Sequence, residues 1–197
     1  MTRVIAGAVG GRRLAIPRGL ATRPTSDRAR EGLFGTAVAV LGGLNAARVA
    51  DLYAGSGAVG LEALSRGAGH VLLVESARAA VRAIRSNLAA LGLDGAEVAA
   101  EPVRRVLARG PGAGGPYGFV FADPPYAVPG DEITTVLAAL REHGWLAPEV
   151  PGGPPGTLVA VERATRSGPV NWPDGYRPDR SRRYGEATLW YGFAAAA

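Results

Sequence analysis

Short apolar runs alternate along most of this chain with longer stretches in which apolar residues recur every three or four positions. The short runs are typical of β-strands, and the longer stretches are typical of amphipathic helices. Their alternation predicts an α/β fold with a largely parallel sheet and helices on both faces. The predicted strands are 48–53, 70–75, 97–100, 117–122, 157–162 and a candidate antiparallel strand at 184–193, and the predicted helices are 58–66, 77–91, 102–109 and 131–142.

The start of the chain predicts a β-hairpin ahead of this series. Segments 3–8 and 12–16 are partly apolar, and Gly10-Gly11 between them suits a hairpin turn. We therefore expect a hairpin extension at 1–20 and one α/β domain at 21–197. N-cap candidates around Ser26 then introduce a helix, whose predicted buried face holds Leu33, Phe34, Ala37, Val38 and Leu41.

The composition narrows the class of protein. With 197 residues, 47% of them hydrophobic, and a mean hydropathy of +0.08, the chain suits one globular domain with a sizeable core. No apolar run approaches the ~20 residues that cross a bilayer, and the start lacks the pattern of a signal peptide, so we expect a cytoplasmic protein without membrane contact. The absence of cysteine excludes disulfides, thiolate metal sites and a cysteine nucleophile.

Positive charge is concentrated near the N-terminus. All 22 basic residues are arginine, and residues 1–31 hold seven of them against two acids. A cationic face attracts phosphate backbones through charge and counterion release, so this segment predicts a nucleic-acid contact, with a solvated surface as the alternative. Further arginines lie between Trp172 and Tyr184, and they indicate either a target-side loop or a plain surface loop.

Residues 51–60 form a glycine-rich cluster directly after a predicted strand. Gly55, Gly57 and Gly60 have the spacing of loops that let the backbone approach a nucleoside ligand before a helix. Such a loop holds a pyrophosphate in dinucleotide enzymes, whereas it lies under the methionine and ribose in S-adenosylmethionine enzymes. Asp51 favours the second ligand, because a carboxylate attracts an ammonium group and repels a pyrophosphate. Glu75, at the end of the next strand, suits a ribose diol in both cases.

The motif Asp123-Pro124-Pro125-Tyr126 follows another apolar strand, at the edge where open α/β sheets bind ligands. Each proline fixes its own φ at about −65° and favours an extended conformation in the residue before it. This stiff corner can aim the Asp123 carboxylate and the Pro124 carbonyl into one pocket. Tyr126 then offers an aromatic face to a base.

These groups suit methyl transfer to an amine on a nucleobase. Such an amine is a weak nucleophile because its lone pair is delocalised, and two acceptors that hold its N–H bonds turn the lone pair toward an incoming methyl group. Guanine presents N1–H beside its N2 amine, which match the two oxygens of Asp123, whereas adenine presents an N1 acceptor. The motif therefore favours direct methylation of guanine N2, without a covalent enzyme adduct.

Several stretches of the chain resemble the bacterial 16S ribosomal RNA guanine-N2 methyltransferases of the RsmD type, over nearly the full length. The matching stretches are 3–7, 11–14, 23–31, 51–57, 60–67 and 123–126. The resemblance implies a class I methyltransferase with a seven-stranded sheet, S-adenosylmethionine as the methyl donor, and one guanine of the small ribosomal subunit as the acceptor.

The resemblance also implies individual roles. Thr25 and the helix after it would close over the methionine end of the cofactor, and the hairpin would touch RNA. Residues 101–103 depart from the family at the polar position that contacts adenine. The predicted catalytic residues are Asp123, Pro124 and Tyr126; the predicted cofactor residues are Thr25, Asp51, Tyr53, Ala54, Gly55, Ser56, Gly57, Glu75, Ser76 and Val103; the predicted RNA-binding residues are Arg3, Arg12, Arg13, Arg23 and Arg28.

Other functions are open on the sequence alone. The same chemistry can serve adenine N6 in DNA or RNA, or a small amine. A nicotinamide-dependent oxidoreductase would use the glycine loop but leaves 123–126 without a role, and a non-catalytic RNA-binding module explains only the arginine-rich start. His70 and His143 lack the spacing of metal ligands, so we expect structural roles for them, no metal, and a monomer.

Overall fold

The computed structural model describes residues 2–16, 25–153 and 155–196. No helix within these ranges is long and apolar enough to cross a bilayer. The strands are β1 (Arg48–Leu52), β2 (His70–Val74), β3 (Ala96–Ala99), β4 (Phe119–Ala122), β5 (Leu158–Ala164), β6 (Tyr176–Tyr184) and β7 (Ala187–Ala194). The helices are α1 (Asp27–Leu41), α2 (Ala58–Ser65), α3 (Arg78–Leu91), α4 (Val103–Leu107) and α5 (Gly130–Glu142), with a 3₁₀ turn at Thr165–Ser167.

The seven strands form one sheet in the order β3-β2-β1-β4-β5-β7-β6. The first five are parallel, and β7 runs antiparallel to both β5 and β6. Parallel strands are covered on both faces and therefore consist of continuous apolar runs, and every residue of β4 is buried. The predicted seven-stranded, mostly parallel α/β fold is confirmed.

The two faces of the sheet pack against different helices. Val106 of α4 and Leu137 of α5 belong to the hydrophobic core on one face. Phe34 of α1, Val59 of α2 and Ile84 of α3 belong to the core on the other face. The predicted helices on both faces are therefore confirmed.

The strand order reverses beside β1. The chain first adds β2 and β3 on one side of β1 and then crosses to add β4 and β5 on the other. Open α/β sheets bind ligands in the crevice at the carboxyl ends of the strands where such a reversal occurs. The motifs at 51–57 and 123–126 follow β1 and β4, so the topology brings them to this crevice.

Helix α1 begins where the sequence predicts. Ser26 is its N-cap, and the Ser26 hydroxyl accepts a backbone N–H of the first turn at 3.1 Å. Leu33, Phe34 and Ala37 are buried as predicted. Val38 is 39% exposed, so its predicted burial is wrong. The apolar spacing of α1 continues beyond the helix face that contacts the sheet.

The arginine-rich segment near the C-terminus contains a strand where the sequence predicted a loop. Strand β6 pairs with β7, with a register shift between Pro178 and Ser181. All residues from Arg177 to Arg183 are exposed, so the segment lacks the apolar alternation that predicts a strand. Charges and proline are common on edge strands because they discourage pairing with other chains. The loop interpretation is therefore wrong, because the sequence of this edge strand resembles that of an exposed loop.

The N-terminal segment folds back on itself against α2, as a hairpin would. Its antiparallel pairing is a single bridge between Arg3 and Arg13. The backbone N–H groups of Ile5 and Ala6 donate to the Glu62 carboxylate at 2.7 and 3.1 Å. Hydrogen bonds to α2 and α3, rather than a long strand ladder, therefore attach this segment to the domain.

Candidate active site

A pocket of about 320 Å³ lies at the carboxyl ends of β1, β2 and β4. Its volume is in the range of small-molecule sites, roughly 300–1,000 Å³. The fold brings together here most of the residues that the sequence singled out for cofactor binding and catalysis. Those that line the pocket are Thr25, Asp51, Tyr53, Ala54, Gly55, Ser56, Glu75, Ser76 and Asp123.

The glycine loop after β1 forms one side of this pocket. Gly57 is the N-cap of α2 and has a φ of 80°, a conformation that favours glycine. Gly60 packs so closely on β2 that a Cβ there would lie 2.7 Å from the Leu73 side chain. At Gly55, by contrast, a Cβ would meet no described atom within 4 Å. The loop therefore holds α2 against the sheet and leaves space for a ligand beside Gly55.

Asp51 is a buried acid beneath this loop. It is 1% exposed, and its Oδ2 accepts the Gly60 N–H at 2.8 Å. Burial raises the pKa of Asp51 to about 7; the Gly60 N–H opposes this increase and the charge of Glu75 adds to it. A cationic group of a ligand beside Asp51 would lower this pKa and favour the ionised form.

Glu75 connects the ends of β1 and β2. Its Oε2 accepts the Gly55 N–H at 2.9 Å, and its Oε1 accepts the Ala77 N–H at 2.7 Å. Each carboxylate oxygen has further acceptor capacity, so Glu75 can also accept hydrogen bonds from the hydroxyl groups of a diol. Its place in the pocket fits the predicted ribose contact.

Tyr53 has an unusual backbone conformation, with a φ of 65°. Non-glycine residues are uncommon in this region and cluster at functional sites. The next residue, Ala54, is held by a hydrogen bond from its N–H to the Val74 carbonyl at 2.9 Å. The turn thus leads the chain from β1 into the glycine loop along the edge of the pocket.

Asp123 lies directly after β4. Its backbone N–H donates to the Leu52 carbonyl at 3.3 Å, and the Thr25 hydroxyl donates to its Oδ2 at 3.4 Å. Burial raises the pKa of Asp123 well above its ordinary value, and the carboxylates of Glu162 and Asp51 raise it further. N–H donors from a ligand would stabilise the charged form of this carboxylate.

Of the rest of the motif, Pro125 also lines the first pocket, Tyr126 lines a second pocket of about 530 Å³, and Pro124 lines neither. Pro124 is buried, whereas Tyr126 is 51% exposed. Asp123 lines the first pocket and Tyr126 lines the second, so the motif lies between the two. The second pocket is also lined by Ser26, Arg28, Glu162, Arg183 and Tyr184.

Two predicted cofactor residues do not line the first pocket. Val103 begins α4 and is buried in the hydrophobic core. Gly57 faces the side chains of Leu73 and Ile84 behind the loop. Among the predicted RNA-binding residues, Arg23 lies outside the described residues. The roles of these three residues stay predictions.

The N-terminal arginines are distributed differently from the single cationic face that the sequence suggested. Arg30 is fully buried and donates to Asp27 at 2.6 Å. Arg3 forms an ion pair with the same Asp27 at 3.5 Å, and Arg12 donates to a backbone carbonyl of α3 at 2.8 Å. Arg28 instead lines the second pocket. Charge counted along the chain therefore overstates the charge available to an RNA.

Sequence reasoning missed Glu162, which lines the second pocket, and left Arg183 and Tyr184 open between a target-side loop and a plain surface loop. A signal for Glu162 is present in the sequence, because it follows the apolar residues 158–161 as Asp123 follows β4. Arg183 and Tyr184 were singled out only as members of the arginine-rich segment that ends at Tyr184. They reach the pocket through the pairing of β6 with β7, which the sequence did not predict.

With this geometry established, comparison with known proteins identifies the family. The chain matches the model of the family described as conserved hypothetical protein 95 over residues 2–192. It belongs to this family. Ribosomal RNA small subunit methyltransferase D of Escherichia coli (strain K12) is 38% identical over 174 residues, which are 86% of this chain and 80% of that protein. The Haemophilus influenzae protein of the same name is 32% identical over 148 residues, 74% of each chain.

Two solved structures of similar proteins share the fold of this chain over its whole length. The Escherichia coli protein yhhF has a TM-score of 0.82 and 32% identity, with 100% of this chain and 99% of that chain covered. A hypothetical protein of Thermus thermophilus has a TM-score of 0.78 and 28% identity, with full coverage of both chains. The predicted family and the methyltransferase class are confirmed.

Proposed function

We propose that this protein transfers the methyl group of S-adenosylmethionine to the N2 amine of a guanine in the 16S RNA of the small ribosomal subunit. The observation that supports this best is the position of Asp123, between a cofactor-sized pocket and the pocket of Tyr126. The relatives named ribosomal RNA small subunit methyltransferase D support an RNA of the small subunit as the substrate.

The first pocket fits S-adenosylmethionine. Asp51 offers a buried carboxylate to an ammonium group, Glu75 offers acceptors to the ribose hydroxyls, and Gly55 leaves open space beside the loop. When bound, the cofactor supplies an electrophilic methyl group on a sulfonium. The other pocket residues that would hold it are Thr25, Tyr53, Ala54, Ser56 and Ser76.

Asp123 and Pro124 act on the acceptor amine. The Asp123 carboxylate and the Pro124 carbonyl accept the N–H bonds of guanine N2, so that the nitrogen lone pair faces the methyl group. Orientation of this kind lowers a barrier by up to ~7–11 kcal/mol. The amine loses one proton during the transfer, and Asp123, with its raised pKa, is placed to accept it. Tyr126 stacks on the extruded base.

Cationic side chains at the second pocket and on the N-terminal segment hold the RNA backbone. Arg28 and Arg183 lie at the pocket of Tyr126, where they contact the phosphates beside the target nucleotide. Arg3, Arg12 and Arg13 of the N-terminal segment add further contacts, since Arg3 and Arg12 stay exposed although each has a partner within the protein. We also propose an RNA contact for Arg23, which lies outside the described residues, and we expect the enzyme to act as a cytoplasmic monomer.

Isotope transfer tests this function. Purified protein and tritiated S-adenosylmethionine should label small subunits from cells that lack the protein, and nuclease digestion should yield labelled N2-methylguanosine. Subunits from cells that contain the protein are the matched control and should accept little label. Unlabelled subunits would contradict the proposal, and labelled N6-methyladenosine would identify the adenine alternative.

Cofactor binding is expected to release a proton from Asp51. With a pKa of about 7, the Asp51 carboxyl is mostly protonated at about pH 6.5, and the ligand ammonium lowers that pKa. Calorimetry of adenosylhomocysteine binding in buffers of different ionisation enthalpy should show the release of roughly half a proton or more. Binding should therefore strengthen as the pH rises toward 7.

The substitution Asp51→Asn should abolish this proton release. Asp94→Asn changes an exposed aspartate and should leave it unchanged. Equal proton release by wild type and Asp51→Asn would show that another group titrates.

A further inference from the structure

Glu162 is a buried acid in the second pocket that the proposed mechanism does not use. It is 3% exposed, and its Oε2 has no hydrogen-bond partner among the described residues. A buried carboxylate oxygen without a partner is costly, and such atoms in folded proteins are normally satisfied by a hydrogen bond. Because Glu162 lines the pocket, a donor on a bound molecule can supply that hydrogen bond.

The sheet places Glu162 beside Asp123. Ala122 of β4 pairs with Val161 of β5 in a parallel register, so the next residue on each strand is Asp123 and Glu162, respectively. The Thr25 hydroxyl, which donates to Asp123, also forms a hydrogen bond with Glu162. It opposes the increase that burial causes in the pKa of Glu162. Two carboxyl groups are therefore held at neighbouring positions on the same edge of the sheet.

The surroundings of Glu162 suit a nucleotide. Tyr126 and Tyr184 bring aromatic rings to the pocket, Arg28 and Arg183 bring positive charge, and Glu186 brings a second acid. Aromatic faces stack on a base, and guanidinium groups pair with phosphate. Among these residues, Glu162 is a buried acceptor, so it can accept a hydrogen bond from a donor of the base.

We infer that Glu162 is a specificity-determining residue, whose carboxylate accepts a hydrogen bond from N1–H of the target guanine while Asp123 holds the adjacent N2 amine. This inference rests on the proposed function. Guanine presents these two donors side by side, and the two neighbouring carboxyl groups match them. A purine with a lone pair at N1 would instead face a carboxylate oxygen, which repels it. The pocket thereby selects guanine by the proton on N1.

The test uses 2-aminopurine, which keeps the N2 amine but has a lone pair at N1. After the modified guanine has been mapped, small-subunit RNA is ligated from segments with guanine or 2-aminopurine at that position and reconstituted into subunits. The wild-type enzyme should methylate the guanine substrate with a kcat/KM about 10- to 100-fold above that for 2-aminopurine. Equal values for the two substrates would overturn the inference.

The substitution Glu162→Gln keeps the shape of the side chain but can turn an N–H donor toward N1. The variant should lose about 10- to 100-fold in kcat/KM on guanine, and its preference for guanine over 2-aminopurine should fall toward one. Adenosylhomocysteine affinity and the unfolding temperature should stay near wild type, since a structural role would change these instead. A variant that keeps the wild-type preference would also overturn the inference.

Glu142→Gln is the matched control, because Glu142 is exposed at the end of α5. It should keep both the rate and the base preference. If Glu162→Gln does not fold, equal kcat/KM values of the wild-type enzyme for the two substrates would still overturn the inference. The absence of any N2-methylguanosine in the mapping step would contradict the proposed function itself, whereas methylation without base discrimination would contradict only the role of Glu162.

Discussion

Replacing Asp123 with alanine is expected to slow methyl transfer about 100- to 1,000-fold. The substitution removes the carboxylate that holds the acceptor amine between the two pockets. Asp51, Glu75 and the glycine loop remain in place, so adenosylhomocysteine should bind with nearly wild-type affinity. Single-turnover transfer of tritium to unmodified small subunits measures the rate, and calorimetry measures the affinity.

Two further variants define what the Asp123 side chain contributes. Asp123→Asn keeps one acceptor oxygen but removes the charge, so it should retain more activity than alanine. Asp131→Ala removes an exposed carboxylate in the first turn of α5 and should have the wild-type rate. A wild-type rate for Asp123→Ala would exclude the proposed orientation of the amine.

Replacing Glu62 with alanine is expected to lower the free energy of unfolding by about 3–5 kcal/mol. Glu62 is fully buried in α2, accepts the N–H groups of Ile5 and Ala6, and pairs with Arg66 at 2.8 Å and with Arg30 at 3.6 Å. Its loss would leave the buried Arg30 guanidinium without that partner and would remove two of the hydrogen bonds that attach the N-terminal segment to α2. Denaturant unfolding, followed by circular dichroism, measures the change.

The expected loss from Glu62→Ala is a large part of the stability of a domain, which is on the order of 5–15 kcal/mol. Glu142→Ala changes an exposed glutamate and should stay within about 0.5 kcal/mol of wild type. The double variant Glu62→Leu, Arg30→Leu should recover part of the loss, because it leaves no unpaired buried charge. A loss below about 1 kcal/mol for Glu62→Ala would show that this network contributes little.

The parallel part of the fold was predictable because its signals are local. Strands β1, β2, β4 and β5 are buried on both faces, so each is a short apolar run that composition and spacing identify. The observed bounds of these strands agree with the predicted ones to within a few residues. Helix α1 was equally clear, since Ser26 caps it and its apolar residues repeat at helical spacing.

Strand β6 could not be predicted in this way. Its exposed arginines resemble a loop, and the hydrogen bonds that make it a strand come from β7. The sequence also did not show which individual arginines are buried and which line the pocket. Arg30 and Arg28 are two residues apart, yet the first is buried in an ion pair with Asp27 and the second lines the acceptor pocket.

By itself, the sequence determined the α/β class, the glycine loop, and the acids at the strand ends, Asp51, Glu75 and Asp123. Each of these features belongs to a strand and the few residues after it, and the local sequence is enough to specify it. Only the tertiary structure decided that Glu162 lies beside Asp123, and that Arg183 and Tyr184 complete the second pocket with Tyr126. Such neighbours are set by strand order and register, which bring together residues that no local pattern connects.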